Sequence, residues 1–179
     1  DFLEHENPNY LEESLLYQTN TDMVTGLSAA YSSMRKEAAI GVIANAKRSD
    51  LTFPGGFRSA FTASSKPFHT HTYDNSNTEV NRKWAELYEG VFRANQVIIA
   101  GEKLRGTHGS QELEDGANVV IAEARALRGL FYFYLHNSFN NGSVVLIDFV
   151  SEKEEDFFLP LSEASVVRAF YLKDLEFAY

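Results

Sequence analysis

Five histidines, twenty-five carboxylates and no cysteine are the raw material for reactivity in this chain of 179 residues. His69-Thr70-His71 would put two imidazoles on one face of an extended segment, which is how a metal site could begin. No third ligand stands near, since His5, His108 and His136 are far along the chain. Asp74, Ser76, Thr78 and Glu79 alternate oxygen side chains, but the glycine that an EF-hand type of calcium loop needs is missing. Helix capping accounts for those residues more simply. The lack of Cys excludes disulfides, thiolate ligation and a thiol nucleophile. The chain has no Gly-x-Ser-x-Gly elbow, no His-Glu-x-x-His and no dinucleotide fingerprint. Pro54-Gly55-Gly56 is a turn with no Lys-Ser/Thr behind it to hold phosphate. Glu112, Glu114 and Asp115 lie at a helix start, where the dipole favours negative charge. Glu123, Arg125 and Arg128 flank an apolar stripe, so ion pairs between helices explain them better than catalysis. Neither an enzyme nor a cofactor is expected.

Binding is better provided for. The stretch Asn45 to Asn77 shows no helical period and carries Phe53, Phe57, Phe61, Phe68 and Tyr73. Flat rings take the C–H face of a sugar, and neighbouring polar groups take its hydroxyls. Arg58, Phe61, His69, His71, Tyr73 and Asn75 are the candidate ligand residues. The competing reading is that these rings tuck the loop onto the core, as aromatics commonly do.

Helices must position that loop. From Glu79 to about Lys103, Val80, Trp84, Leu87, Tyr88, Val91, Ile98 and Ile99 follow three-and-four spacing. Ser76 and Glu79 are spaced as a capping box, with Asn77 and Thr78 as rival caps, and Gly101, Gly106 and Gly109 supply the stop. A second stripe runs through Val120, Ala124, Leu127, Phe131 and Tyr134, and Asn140-Asn141-Gly142 suits a left-handed terminus behind it. Asn20 or Thr21 can cap a helix bearing Val24, Leu27, Tyr31, Met34 and Ala38. Ser162 can cap a last helix with Val167, Tyr171, Leu175 and Ala178 on one face. The expected helices are 21–40, 79–103, 113–139 and 162–179. Trp84, Leu87, Tyr88, Leu127, Phe131 and Tyr134 should bury one another, and Arg125 and Arg128 should find carboxylates or helix-end carbonyls. Between the last two helices, Ser143 to Val150 reads as a short strand or a buried extended connector, followed by an acidic loop at 152–156.

The composition suits such a fold. Forty-four per cent of the residues are hydrophobic and 23% charged, so the chain is globular rather than disordered. Four prolines and eleven glycines are too few for a turn-rich β fold. A net charge of −9 with scattered basic residues argues against nucleic acid as a partner. No apolar stretch approaches the ~20 residues that span a bilayer. The expectation is one mostly α domain over 1–179, a helical-repeat bundle of the tetratricopeptide type with a long aromatic-rich loop and a short extended segment.

Four motifs give this order a resemblance. Asp1-Phe2-Leu3-Glu4 followed by Pro8 resembles the opening of mature SusD/RagB-family lipoproteins. Trp84-x-x-x-Tyr88 with Arg93-Ala94-Asn95-Gln96-Val97-Ile98 is similar to the second helix of that family. Ala122-Glu123-Ala124-Arg125-Ala126-Leu127-Arg128-Gly129-Leu130-Phe131-Tyr132-Phe133-Tyr134-Leu135 is similar to its AEARFLRA-x-YYF-x-L helix. Ser162 with Lys173-Asp174-Leu175-Glu176-x-Ala178 resembles the segment that closes the same portion. One departure stands out: Val145 sits where the family's Gly-x-Val-Pro-Leu stretch carries proline. The resemblance implies a non-catalytic, cell-surface glycan- or nutrient-binding lipoprotein of Bacteroidota. It would be held to the outer membrane by a lipid anchor ahead of Asp1 and partnered with a TonB-dependent, SusC-like transporter. Family members are much longer, so the chain would correspond to their N-terminal helical part. A structural helical-repeat module that docks another protein is the alternative.

Overall fold

Residues 17, 19–36, 41, 43–49, 66–105, 111–151 and 153–179 are described by a computed structural model of the chain. Their helices are α1 (Asn20–Met34), α2 (Ile43–Arg48), α3 (Lys66–His69), α4 (Thr78–Leu104), α5 (Gln111–Ser138) and α6 (Ala164–Ala178). Two 3-10 turns, Asn140–Gly142 and Glu154–Phe157, fall between α5 and α6. The four long periods of the sequence are thus helices, and the stretch expected to be irregular also holds two short ones. Phe53, Phe57, Arg58 and Phe61 lie outside the described residues, as do Gly106 and Gly109.

The ends are set by side chains that periodicity does not weigh. Thr19, one residue ahead of the expected caps, accepts from the Asp22 N–H at 3.2 Å, and the Asp22 carboxylate accepts from Thr19 N–H at 2.9 Å. That reciprocal pair satisfies two donors the first turn would leave open. At its other end α1 stops at Met34, short of the expected residue 40, where the Arg35 N–H turns back to the Ser32 and Ser33 carbonyls. Asn77 caps α4 by accepting from Glu79 and Val80. Ser76 is not the cap, because its backbone N–H and hydroxyl both donate to Asp74 Oδ1, at 2.8 and 2.6 Å. Ser162 is no cap either: its N–H donates to the Val144 carbonyl at 2.9 Å in an isolated antiparallel bridge.

Packing rather than propensity holds the assembly. Helix α4 lies on α5, α5 on α6, and α1 on both α4 and α5, as neighbours in a helical-repeat array do. Met23 and Leu27 of α1, Leu87, Val91 and Val97 of α4, Leu127, Phe131 and Leu135 of α5, and Val167 of α6 form one buried cluster. Burying one such side chain is worth roughly 1.5–3 kcal/mol, whereas helix propensities differ by about 0.7 kcal/mol or less among ordinary residues. Gly101 does not stop α4. It lies inside the helix, where a Cβ would come 2.6 Å from Ile121 of α5, so glycine here permits close approach.

Of the six residues expected to bury one another, Leu87, Leu127 and Phe131 do so. Trp84, Tyr88 and Tyr134 remain half-buried against the same cluster. Polar contact and ring geometry explain two of these. Tyr88 sends its hydroxyl to the Val145 carbonyl at 2.7 Å, and Trp84 meets Phe139 edge-on at 5.0 Å, with its other edge open.

The connector from Val144 to Phe149 is extended, yet it has no ladder. Side chains of α4 and α5 serve its backbone instead. Tyr88 donates to Val145, and Asn95 Nδ2 donates to the Ile147 and Phe149 carbonyls at 2.9 and 3.1 Å. The Tyr132 hydroxyl accepts from the Ile147 N–H at 2.7 Å. Burial pushes both phenols above their ordinary pKa, so they remain neutral donors. No described helix is long and apolar enough to cross a membrane.

Candidate functional site

A cleft of about 320 Å³ opens where α2, α3, the start of α4 and the end of α5 converge. That is the lower end of the roughly 300–1,000 Å³ typical of small-molecule sites. Four separate stretches of chain contribute to it: Asn45 to Arg48, Phe68 to Asn75, Glu79 to Lys83, and Ser138 to Asn140.

Its aromatic wall comes from α3 and the turn behind it. Phe68 is buried and stacks on Tyr73 at 4.8 Å with 14° between the planes. Arg48 of α2 lies over the same Tyr73 ring at 5.5 Å. Phe68 therefore fastens the segment to the molecule, and both rings line the cleft, Tyr73 being the more exposed of the two. Phe139 supplies the opposite apolar surface, held edge-on against Trp84. Behind Phe139 the chain turns through positive φ at Asn140 (45°), Asn141 (53°) and Gly142 (94°). This is the left-handed terminus that the Asn-Asn-Gly run suggests. It leaves Ser138 and Asn140 on the cleft rim.

The polar wall is mostly cationic. Lys47 and Glu79 pair at 2.9 Å across α2 and α4. Arg82 approaches Glu86 at 3.9 Å on the helix surface. Lys83 is half-buried, and among the described residues it has no carboxylate within ion-pair distance. Burial first, and then the charge of Arg48, hold its amine below the usual lysine pKa. Asp74, the remaining acid, is turned to Ser76; those two hydrogen bonds hold its carboxyl below the ordinary range.

Of the candidate ligand residues, Tyr73 and Asn75 line the cleft. His69 and His71 do not. The segment is not extended there, because His69 ends α3 and His71 takes a φ of 54° in the following turn. Alternation therefore does not bring the two imidazoles to one face. Arg58 and Phe61 lie outside the described residues. Among the described residues no three potential metal ligands gather. Sequence reasoning missed Arg48, Lys83 and Phe139. Each belongs to a helix or its end and carries no local mark, since only the fold brings them beside Tyr73.

Exposed aromatics are also not confined to the loop. Phe92, Phe133 and Phe177 are more than 40% exposed on long helices. A second cleft of about 360 Å³ runs along Trp84, Tyr88 and Phe92 beneath the connector. Arg125 and Arg128 serve structure. Arg125 pairs with Glu102 at 2.9 Å and lies over Phe177 at 4.0 Å. Arg128 is buried and grips both oxygens of Asp174, at 2.6 and 2.8 Å, while donating to Asn95 Oδ1 at 2.8 Å.

No protein-family model matches the chain, and no curated protein matches it. Among solved structures it is similar to a SusD homologue from Bacteroides thetaiotaomicron VPI-5482, with 24% identity and a TM-score of 0.72. The match covers 93% of this chain and 31% of that one. It is also similar to a SusD-like protein from Bacteroides fragilis NCTC 9343, at 23% identity and a TM-score of 0.73, covering 94% of this chain and 30% of the other. The chain thus spans about a third of the length of these structures. Its fold is SusD-like.

Proposed function

We propose that the chain is the helical part of a non-catalytic, cell-surface protein that binds glycans or related nutrients. In this reading it works with a TonB-dependent, SusC-like transporter and is held at the outer membrane by a lipid anchor ahead of Asp1. The SusD-like fold over 93% of the chain is the observation that carries the proposal. The cleft supports it with an aromatic face at Tyr73, a second apolar surface at Phe139, and hydrogen-bonding groups at Asn75, Ser138 and Asn140. Arg58, Phe61, His69 and His71 are proposed as further ligand residues.

Trp84 provides the test. It is the sole tryptophan and touches Phe139, a wall of the cleft. Titrating the chain with a panel of neutral and acidic oligosaccharides should change Trp84 fluorescence and raise the melting temperature for at least one of them. A panel that moves neither signal sinks the proposal and leaves a protein-docking helical module in its place.

A further inference from the structure

The cleft's charge is at odds with the molecule that carries it. The chain bears −9 overall, yet the cleft is lined by four cations, Lys47, Arg48, Arg82 and Lys83, against two anions, Asp74 and Glu79. Three of those six already have partners in the fold. Lys47 and Glu79 neutralise each other, and Asp74 is engaged by Ser76. Arg82 is largely exposed and only loosely matched by Glu86. What remains is Arg48 and Lys83, neither with a carboxylate in reach among the described residues. We infer that this cleft selects acidic oligosaccharides, whose carboxylate or sulfate groups pair with Arg48 and Lys83. The inference rests on the glycan reading above and names the class of glycan.

Three observations support it. Lys83 is half-buried, so its charge has lost part of its hydration, and among the described residues no counterion replaces it; an arriving anion supplies one. Arg48 lies over Tyr73, which restrains its planar guanidinium ahead of binding, and that geometry suits two parallel hydrogen bonds to a carboxylate or sulfate. Tyr73 and Phe139 in the same lining offer ring surface of the kind a pyranose covers while its charged substituent reaches the cations. The overall negative charge matters too. It repels anions at long range, so a preference for acidic sugars would have to arise locally, in the cleft.

Calorimetry on the chain, with an oligogalacturonate, the same oligomer as its neutral methyl ester, and a sulfated galactan oligomer of equal length, decides the matter. The acidic sugars should bind on the order of tenfold or more tightly than the ester, in keeping with charge-assisted hydrogen bonds. Added salt should narrow that gap by screening. Lys83→Gln and Arg48→Gln should each narrow it by about tenfold at low salt. Comparing the two acidic probes tells carboxylate from sulfate. Equal affinity for ester and acid overturns the inference and leaves the glycan reading standing. A preference that survives both substitutions overturns it as well. Failure of all three probes to bind, when another neutral glycan does bind, removes the acidic preference alone; failure of every glycan removes the reading beneath it.

Discussion

Arg128 shows what a single side chain does in this fold. It is a buried cation on α5, with Asp174 of α6 across two hydrogen bonds and Asn95 of α4 on a third. One guanidinium thus ties three helices at a fixed register, a task suited to its planar fork. Asp174→Asn keeps the shape and removes the charge, leaving a buried cation uncompensated. The expected loss is about 3–5 kcal/mol, read as a lower urea midpoint at unchanged slope. A loss under about 1 kcal/mol would show that Arg128 finds water or another acceptor. The sequence announces that Arg128 needs a partner, because it lies next to an apolar stripe. It does not announce which partner. The period of α6 points to Leu175 as the inward residue, yet Leu175 is 38% exposed and Asp174 only 3%. Asp174 stands seven residues after Val167 and three after Tyr171, on the same buried face, so the inward stripe of α6 passes through a charge that an apolar period does not pick out.

The helices themselves were plain from spacing, since an amphipathic period persists through 15 to 28 residues. Their ends were not, because competing side chains decide them: Thr19 over Asn20 and Thr21, Asn77 over Ser76. How closely two helices approach was equally hidden. A Cβ on Gly90 of α4 would stand 2.5 to 2.7 Å from three ring atoms of Phe131 on α5. A buried ring in a packed core cannot swing clear as a flexible chain end would. Gly90→Ala should therefore cost about 1–3 kcal/mol despite its gain in helix propensity. Thermal melts of the two proteins will check this. An unchanged or higher melting temperature would mean that α4 and α5 separate easily.

For the molecule as a unit, the decisive fact is that α1, α4, α5 and α6 contribute to the same buried cluster. No long helix has a core of its own to fall back on. Unfolding should therefore be a single cooperative event, with helical circular dichroism and Trp84 fluorescence losing signal at the same temperature. Separate midpoints would show that one helix pair melts independently. The cleft is also a product of the whole. Tyr73 and Asn75 were legible because rings and polar residues crowd their stretch of sequence. Arg48, Lys83 and Phe139 were not, because they come together only when α2, α4 and α5 meet.

The connector at 144–149 bears on how this protein can change over generations. Its carbonyls and the Ile147 N–H are met by Tyr88, Asn95 and Tyr132, residues of other elements. Among the described residues nothing accepts from the Val145 N–H. An imino acid at 145 would forfeit no hydrogen bond, so valine here and proline in the resembled motif are interchangeable in that respect. A change at Tyr88, Asn95 or Tyr132 would therefore strip partners from the connector's backbone, whereas proline at 145 would not. The backbone of the segment is held by its clasps rather than by pairing of its own.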